Sequence, residues 1–143
     1  MSDLPYSKDI LRLAAESVGA GRLTPPCETG SEFNPACGDR SIVDLRIENG
    51  RIAAVAHETK ACVLAQASAS ILGSALPGRR VDDLAKLKSD VLAMLKGGSP
   101  PQGPFERYAH FKDVAQHPGR HTCVLLPIEA ALKAASQARE PRS

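Results

Sequence analysis

The chain has 143 residues, 43% of them apolar and 24% charged, a composition that excludes a disordered polypeptide and suits one folded domain. Its 18 basic and 16 acidic side chains leave a formal net charge of +2, which gives no electrostatic footprint for nucleic acid and no polybasic membrane patch. Aromatic content of 3% without Trp argues against a base-stacking surface, and no apolar run approaches the roughly 20 residues of a membrane helix. The opening MSDLPYSKDI lacks the basic-then-apolar order of a signal peptide. The expectation is a single cytoplasmic domain over residues 1–143, with a core at about 4–136 and a tail from 137 to 143.

Apolar positions Leu4, Ile10, Leu11, Ala14 and Val18 predict a first helix over Ser2 to Val18, capped by Ser2 or Asp3, with Pro5 in its first turn and Gly19 at its end. Residues 19–40 are rich in Gly and Pro and read as loop with one short strand. Val43, Leu45 and Ile47 alternate with Asp44, Arg46 and Glu48, and Asn49-Gly50 precedes a second, less clean alternation through Ile52, Ala54 and Ala56. That pattern is a β-hairpin with a type I′ turn, because Asn-Gly tolerates positive φ.

From Cys62 the period becomes helical. Leu64, Ala67, Ile71 and Ala75 form a stripe that Pro77-Gly78 ends, with Ser68, Ser70 and Ser74 elsewhere on the helix. A third helix runs from about Val81 to Lys96, with Leu84, Leu87, Val91 and Leu95 on one face and Asp82 and Asp83 at its positive start. After GGSPPQGP a short helix is expected from Phe105 to about Ala115, and His117-Pro118-Gly119 is a turn. The last helix begins near Cys123. Pro127 requires that it lie in the first turn, that the helix kink, or that it start later. The sum is an α+β fold, a small antiparallel sheet covered on one face by helices.

Of the four cysteines, Cys37 precedes the hairpin, Cys62 stands where strand gives way to helix, and Cys123 is near the start of the last helix. Helix starts carry partial positive charge and unpaired N–H groups, which favour a thiolate. Three soft ligands with the Asp39 carboxylate would complete a tetrahedral Zn²⁺ site or hold iron and sulfide. No C-x₂-C pair is present, so the residues alone leave open that the cysteines are small buried hydrophobes.

The residues around them narrow the choice. Asn34-Pro35-Ala36-Cys37-Gly38-Asp39-Arg40, then Lys60-Ala61-Cys62-Val63-Leu64-Ala65-Gln66-Ala67-Ser68-Ala69-Ser70, then Arg120-His121-Thr122-Cys123 before an Ala-rich helix, stand in the order of three motifs. With them the chain resembles the IscU/SufU/NifU N-terminal family of iron–sulfur assembly proteins over about residues 4–136. The 60 residues between Cys62 and Cys123, the expected insertion at about 97–119, and an Arg three positions before the third Cys are similar to the SufU type. The IscU type has His directly before that Cys, here Thr122, and carries a chaperone-recognition Leu-Pro-Pro-Val-Lys that this sequence lacks. Two further departures are Ala61, where the family usually has Gly, and Pro127 in the last helix.

The resemblance implies that Cys37, Asp39, Cys62 and Cys123 hold Zn²⁺ or a transient iron–sulfur cluster. It implies a cysteine desulfurase as sulfur donor and recipient iron–sulfur or carrier proteins for the product; Cys37 is the expected persulfide acceptor, because a loop moves more easily than a helix start, and Arg120 is expected to orient the site or stabilise thiolate charge. Charge and composition point to no nucleic-acid or membrane partner, while a weak homodimer around a shared cluster is compatible with the resemblance. The role would be scaffold, metal-dependent sulfur acceptor, or both, rather than an autonomous enzyme. The alternatives are a purely structural zinc domain and a cysteine-dependent enzyme built on His121 and Cys123. His121 reads as an exposed or capping residue, His57, His110 and His117 have no motif around them, and Cys27 is expected to pack under or beside the sheet.

Overall fold

A computed structural model of the protein describes residues 7–35 and 38–139. Helix α1 spans Lys8–Glu16, shorter than its apolar pattern suggested. The Ser7 hydroxyl, 3.2 Å from the Ile10 N–H, is its N-cap. Ser17, in the left-handed conformation at φ 46°, ends it by donating its N–H to the Leu13 carbonyl, two residues before the glycine expected to do so. The expected caps Ser2 and Asp3, and Pro5, lie outside the described residues.

Strands β1 (Glu28–Asn34), β2 (Asp39–Glu48) and β3 (Arg51–Lys60) form an antiparallel sheet in the order β1-β2-β3. Asn49 and Gly50 both take positive φ, 55° and 76°, as the type I′ turn demands. Val43 and Leu45 point to the core as the alternation predicted, and a register shift at Arg46/Ile47 disturbs it toward the turn. The outer edge of β3 is closed by Gly19–Gly21, which exchange two backbone hydrogen bonds with His57.

Helix α2 (Val63–Ala75) is central, packing on α1, on β3 and on the last helix, α4 (His121–Arg139). The sequence marks a stripe on α2, yet Ser68 and Ser70 are buried as fully as Leu64 and Ile71. They are tolerated because each is hydrogen-bonded. Ser68 Oγ donates to the Val124 carbonyl at 2.7 Å and lies 2.9 Å from the Tyr108 hydroxyl; Ser70 Oγ accepts the Val18 N–H at 3.1 Å. A side chain at Gly73 would overlap the Val18 carbonyl, so glycine there lets the α1–β1 connection lie on the helix.

Helix α3 covers Asp83–Leu95. The helix expected after the Gly/Pro segment is a 3-10 helix over Gly103–Gln116, kinked at Phe105. Phe105, Tyr108, Phe111 and Val114 are all buried and recur every third residue, which is the period that lines up one face of a 3-10 helix. A second short 3-10 turn, Pro118–Arg120, leads into α4. Pro127 is the seventh residue of α4, so the helix starts before Cys123 and runs through the proline. The missing proline N–H leaves the Cys123 carbonyl without its usual partner four residues on. The helix continues to Arg139, past the expected start of the tail at 137.

Helix α4 lies on β1 and β2. Their closest approach is at Gly30, where a Cβ would strike the α4 backbone at Ala130 and Ala134. The opposite face of the sheet is covered by the segment before β1. Asp44, on that face, has a side chain of 0% exposure. It accepts hydrogen bonds from Arg22 Nε (2.7 Å) and Nη2 (3.1 Å), the Leu23 N–H (3.0 Å) and the Thr29 hydroxyl (2.6 Å). Burial pushes its carboxyl pKa up, but these donors outweigh burial and hold it below the usual carboxylate value.

Candidate metal centre

Three junctions of the fold converge at one end of the sheet. Asp39 is the first residue of β2 and pairs with Asn34, the last of β1, across the turn. Cys62 is the N-cap of α2, two residues after β3 ends. Cys123 is in the first turn of α4. The ligand atoms of Asp39, Cys62 and Cys123 all lie within 4.8 Å of one another. Cys37, the fourth residue expected here, lies outside the described residues.

The electrostatics suit a metal. Cys62 has its thiol pKa held well below the ordinary value, chiefly by a hydrogen bond from the Cys123 thiol and, against the cost of burial, by the Ala65 and Leu64 N–H groups at the α2 start. Cys123, the proton donor of the pair, is shifted the other way by that bond, by burial and by the nearby negative charges; the positive charge of Arg120 opposes the shift. Its Sγ stands 3.9 Å from Asp39 Oδ2. Two thiols and a carboxylate make a mixed soft and hard donor set that fits Zn²⁺ or Fe²⁺.

A cavity of about 580 Å³ opens over the cluster. Arg120 lines it, as do Asn34, Thr122 and the turn Gln116–Gly119. His121 is directed elsewhere, donating Nε2–H to the Val114 carbonyl at 3.1 Å, so it forms no dyad with Cys123. Cys27 is half-buried beside β2 in a different surface cavity with Pro25, Pro26 and Leu45. His57 is buried, with Nε2 on the Val18 carbonyl at 2.9 Å and Nδ1 3.3 Å from the Thr59 hydroxyl; burial lowers its pKa, and its role is structural. No motif marks His117 as a neighbour of the cysteines, and the turn through Pro118 brings it to the same cavity.

Comparison with known proteins bears on this arrangement. The model of the NifU-like N-terminal domain matches residues 5–118. The chain belongs to that family. The match includes Cys37, Asp39 and Cys62 and stops short of Cys123. The iron–sulfur cluster assembly scaffold protein IscU of Thermotoga maritima is 28% identical over 135 residues, spanning 92% of this NifU-like chain and 95% of the relative. A NifU-like N-terminal protein from Brucella abortus superposes with a TM-score of 0.91 at 31% identity, covering 96% of each chain. A SufU described as a cluster assembly scaffold of the SUF system, from Fervidobacterium islandicum, superposes at 0.85 with 21% identity over 94% of this chain and 99% of the other. That last likeness shows the shared α+β fold. No helix among the described residues is long and apolar enough to cross a membrane.

Proposed function

We propose that this NifU-like protein is an iron–sulfur cluster assembly scaffold, with the nascent cluster as its cargo. The observation that carries the reading is the convergence of Asp39, Cys62 and Cys123 within 4.8 Å at three element junctions. Cys37 completes the ligand set in this reading. Rigid helix starts hold Cys62 and Cys123, so the metal end of the site is preorganised. Asp39 is a harder donor than a fourth thiolate and binds a soft cluster less tightly, which suits a protein that must give its cargo away.

Sulfur arrives, in this reading, from a cysteine desulfurase. The Cys37 thiolate attacks the outer sulfur of the partner's persulfide; the new S–S bond forms on Cys37, the old one breaks, and the partner leaves as a thiolate with no net redox change. Arg120, lining the cavity, stabilises negative charge on the sulfurs and orients the incoming group. Recipient or carrier proteins then take the cluster. Reduced thiols are required throughout, which fits the cytoplasm.

The test is iron, zinc and acid-labile sulfide per chain, in protein purified without oxygen or added metal. Iron and sulfide in near-equal amounts, lost in Cys37→Ser, Cys62→Ser and Cys123→Ser, support the scaffold. One zinc without sulfide, lost in the same variants, shifts the role to zinc-dependent sulfur relay. Stoichiometric metal that survives all three replacements removes this site from the function.

A further inference from the structure

We propose that Gln66 is a positioning residue for the site: its side-chain amide clamps the end of β3 to the start of α2 and so fixes where Cys62 stands relative to Asp39. The inference rests on the scaffold reading above and deepens it by giving a role to a residue away from the ligands. Cys62 reaches its place through a short connection, Lys60-Ala61-Cys62, from the last residue of β3 to the N-cap of α2. A strand end and a helix start joined in this way can still hinge against each other, and looseness of about 1 Å is enough to spoil a binding constellation.

Gln66 closes that hinge at both ends. Its backbone N–H donates to the Cys62 carbonyl at 3.0 Å, and its side-chain Nε2–H donates to the Thr59 carbonyl. Helical side chains lean toward the helix N-terminus, which carries the amide back over the connection. The strand presents the acceptor for it. On the outer edge of β3, His57 exchanges both backbone groups with Gly19 and Gly21. Backbone groups two residues apart on a strand face the same edge, so the Thr59 carbonyl faces outward as well. There the Gln66 amide supplies the donor that a neighbouring strand would supply.

Thr59 is itself fixed to β2. Its hydroxyl lies 2.9 Å from that of Ser41, the residue opposite it, and 3.3 Å from His57 Nδ1. The Val18 carbonyl, 2.9 Å from His57 Nε2, can only accept, so Nε2 carries the proton and Nδ1 accepts from the Thr59 hydroxyl. That hydroxyl has one proton, so Ser41 donates to Thr59. Ser41, His57 and Thr59 are all buried, which shields this chain from water and makes each of its bonds costly to lose. Ser41 stands two residues from Asp39, on the same face of β2. Asp39 and Cys62 are therefore joined, away from their ligand atoms, through Ser41, Thr59 and Gln66.

The experiment titrates full-length protein anaerobically with Co²⁺ and reads thiolate-to-cobalt charge transfer by absorption, in wild type, Gln66→Met, Gln66→Glu and Ser70→Ala. Methionine keeps the length of the side chain and loses the donor; glutamate keeps its shape and, ionised at neutral pH, cannot donate either. Ser70→Ala removes the bond that Ser70 Oγ accepts from the Val18 N–H, farther along the same helix, and controls for loss of stability alone. The expected result is a Co²⁺ affinity about 10-fold lower in Gln66→Met, the scale on which supporting hydrogen bonds act at metal sites, and at least as low in Gln66→Glu. Charge transfer per bound cobalt falls with it, because Cys62 is displaced, whereas Ser70→Ala matches wild type in both readouts. Wild-type affinity in Gln66→Met, or an equal fall in Ser70→Ala, overturns the inference while leaving the three-residue site standing. Absence of charge transfer in the wild type overturns the site and this inference together. Unchanged far-UV circular dichroism in each variant excludes misfolding as the cause.

Discussion

Asp44 anchors the segment before β1 to the outer face of the sheet, and its replacement is expected to be among the most damaging single changes outside the core. In Asp44→Ala the Thr29 hydroxyl and the Leu23 N–H lose their shared acceptor, at about 1–2 kcal/mol each. Arg22 is 46% exposed and turns back to water, so the loss of its ion pair adds little. The expected destabilisation is about 3 kcal/mol at pH 7, and about half of that for Asp44→Asn, which keeps one acceptor oxygen. The pH dependence has a definite sign. The folded carboxyl has a lowered pKa, so its contribution is complete above the unfolded value of about 4 and is lost as the pH falls through the folded value. Urea unfolding followed by far-UV circular dichroism, from pH 7 down to about pH 3, measures both effects. The stability gap between wild type and Asp44→Asn should narrow on acidification. A loss below about 0.5 kcal/mol for Asp44→Ala at pH 7, or a gap as large at pH 3 as at pH 7, would refute the reasoning.

Three further outcomes are expected. Gly30→Ala forces a Cβ into the α4 backbone and should cost about 3 kcal/mol by thermal unfolding, whereas Gly119→Ala meets open space and should leave the melting temperature unchanged. Ser68→Ala removes the hydroxyl's hydrogen bond to the Val124 carbonyl and leaves the buried Tyr108 hydroxyl without its side-chain partner, for about 2 kcal/mol, against about 1 kcal/mol for Tyr108→Phe; equal losses in chemical denaturation would contradict the network. In metal-free protein Cys62 should be alkylated by iodoacetamide well before Cys123 at neutral pH, and Cys123→Ala should move the Cys62 reaction to higher pH by removing the donated S–H, as peptide mass spectrometry would report.

Much of this molecule is written locally. The hairpin follows from Val43, Leu45 and Ile47 and from Asn49-Gly50, because alternation and a positive-φ dipeptide act over a few residues. The start of α2 at Cys62 and the Gly/Pro boundaries are local in the same way. The three cysteine motifs are continuous runs of residues, so the family and the candidate ligands were legible before any coordinates.

What the sequence could not decide depends on residues far apart in the chain. Phe105, Tyr108, Phe111 and Val114 read as a short helix, and burial of all four on one face makes it a 3-10 helix. Asp44 looks like the polar half of an alternating strand, until Arg22, Leu23 and Thr29 close over it. Ser68 and Ser70 lie off the apolar stripe, yet the core surrounds them because their hydroxyls find backbone partners. Cys123 and Asp39 are 84 positions apart, and only the packing of α4 across β1 and β2 brings sulfur to within 3.9 Å of carboxylate. Local propensity selects elements and marks reactive residues; their meeting in one site is settled by which buried faces fit together, a property of the folded whole.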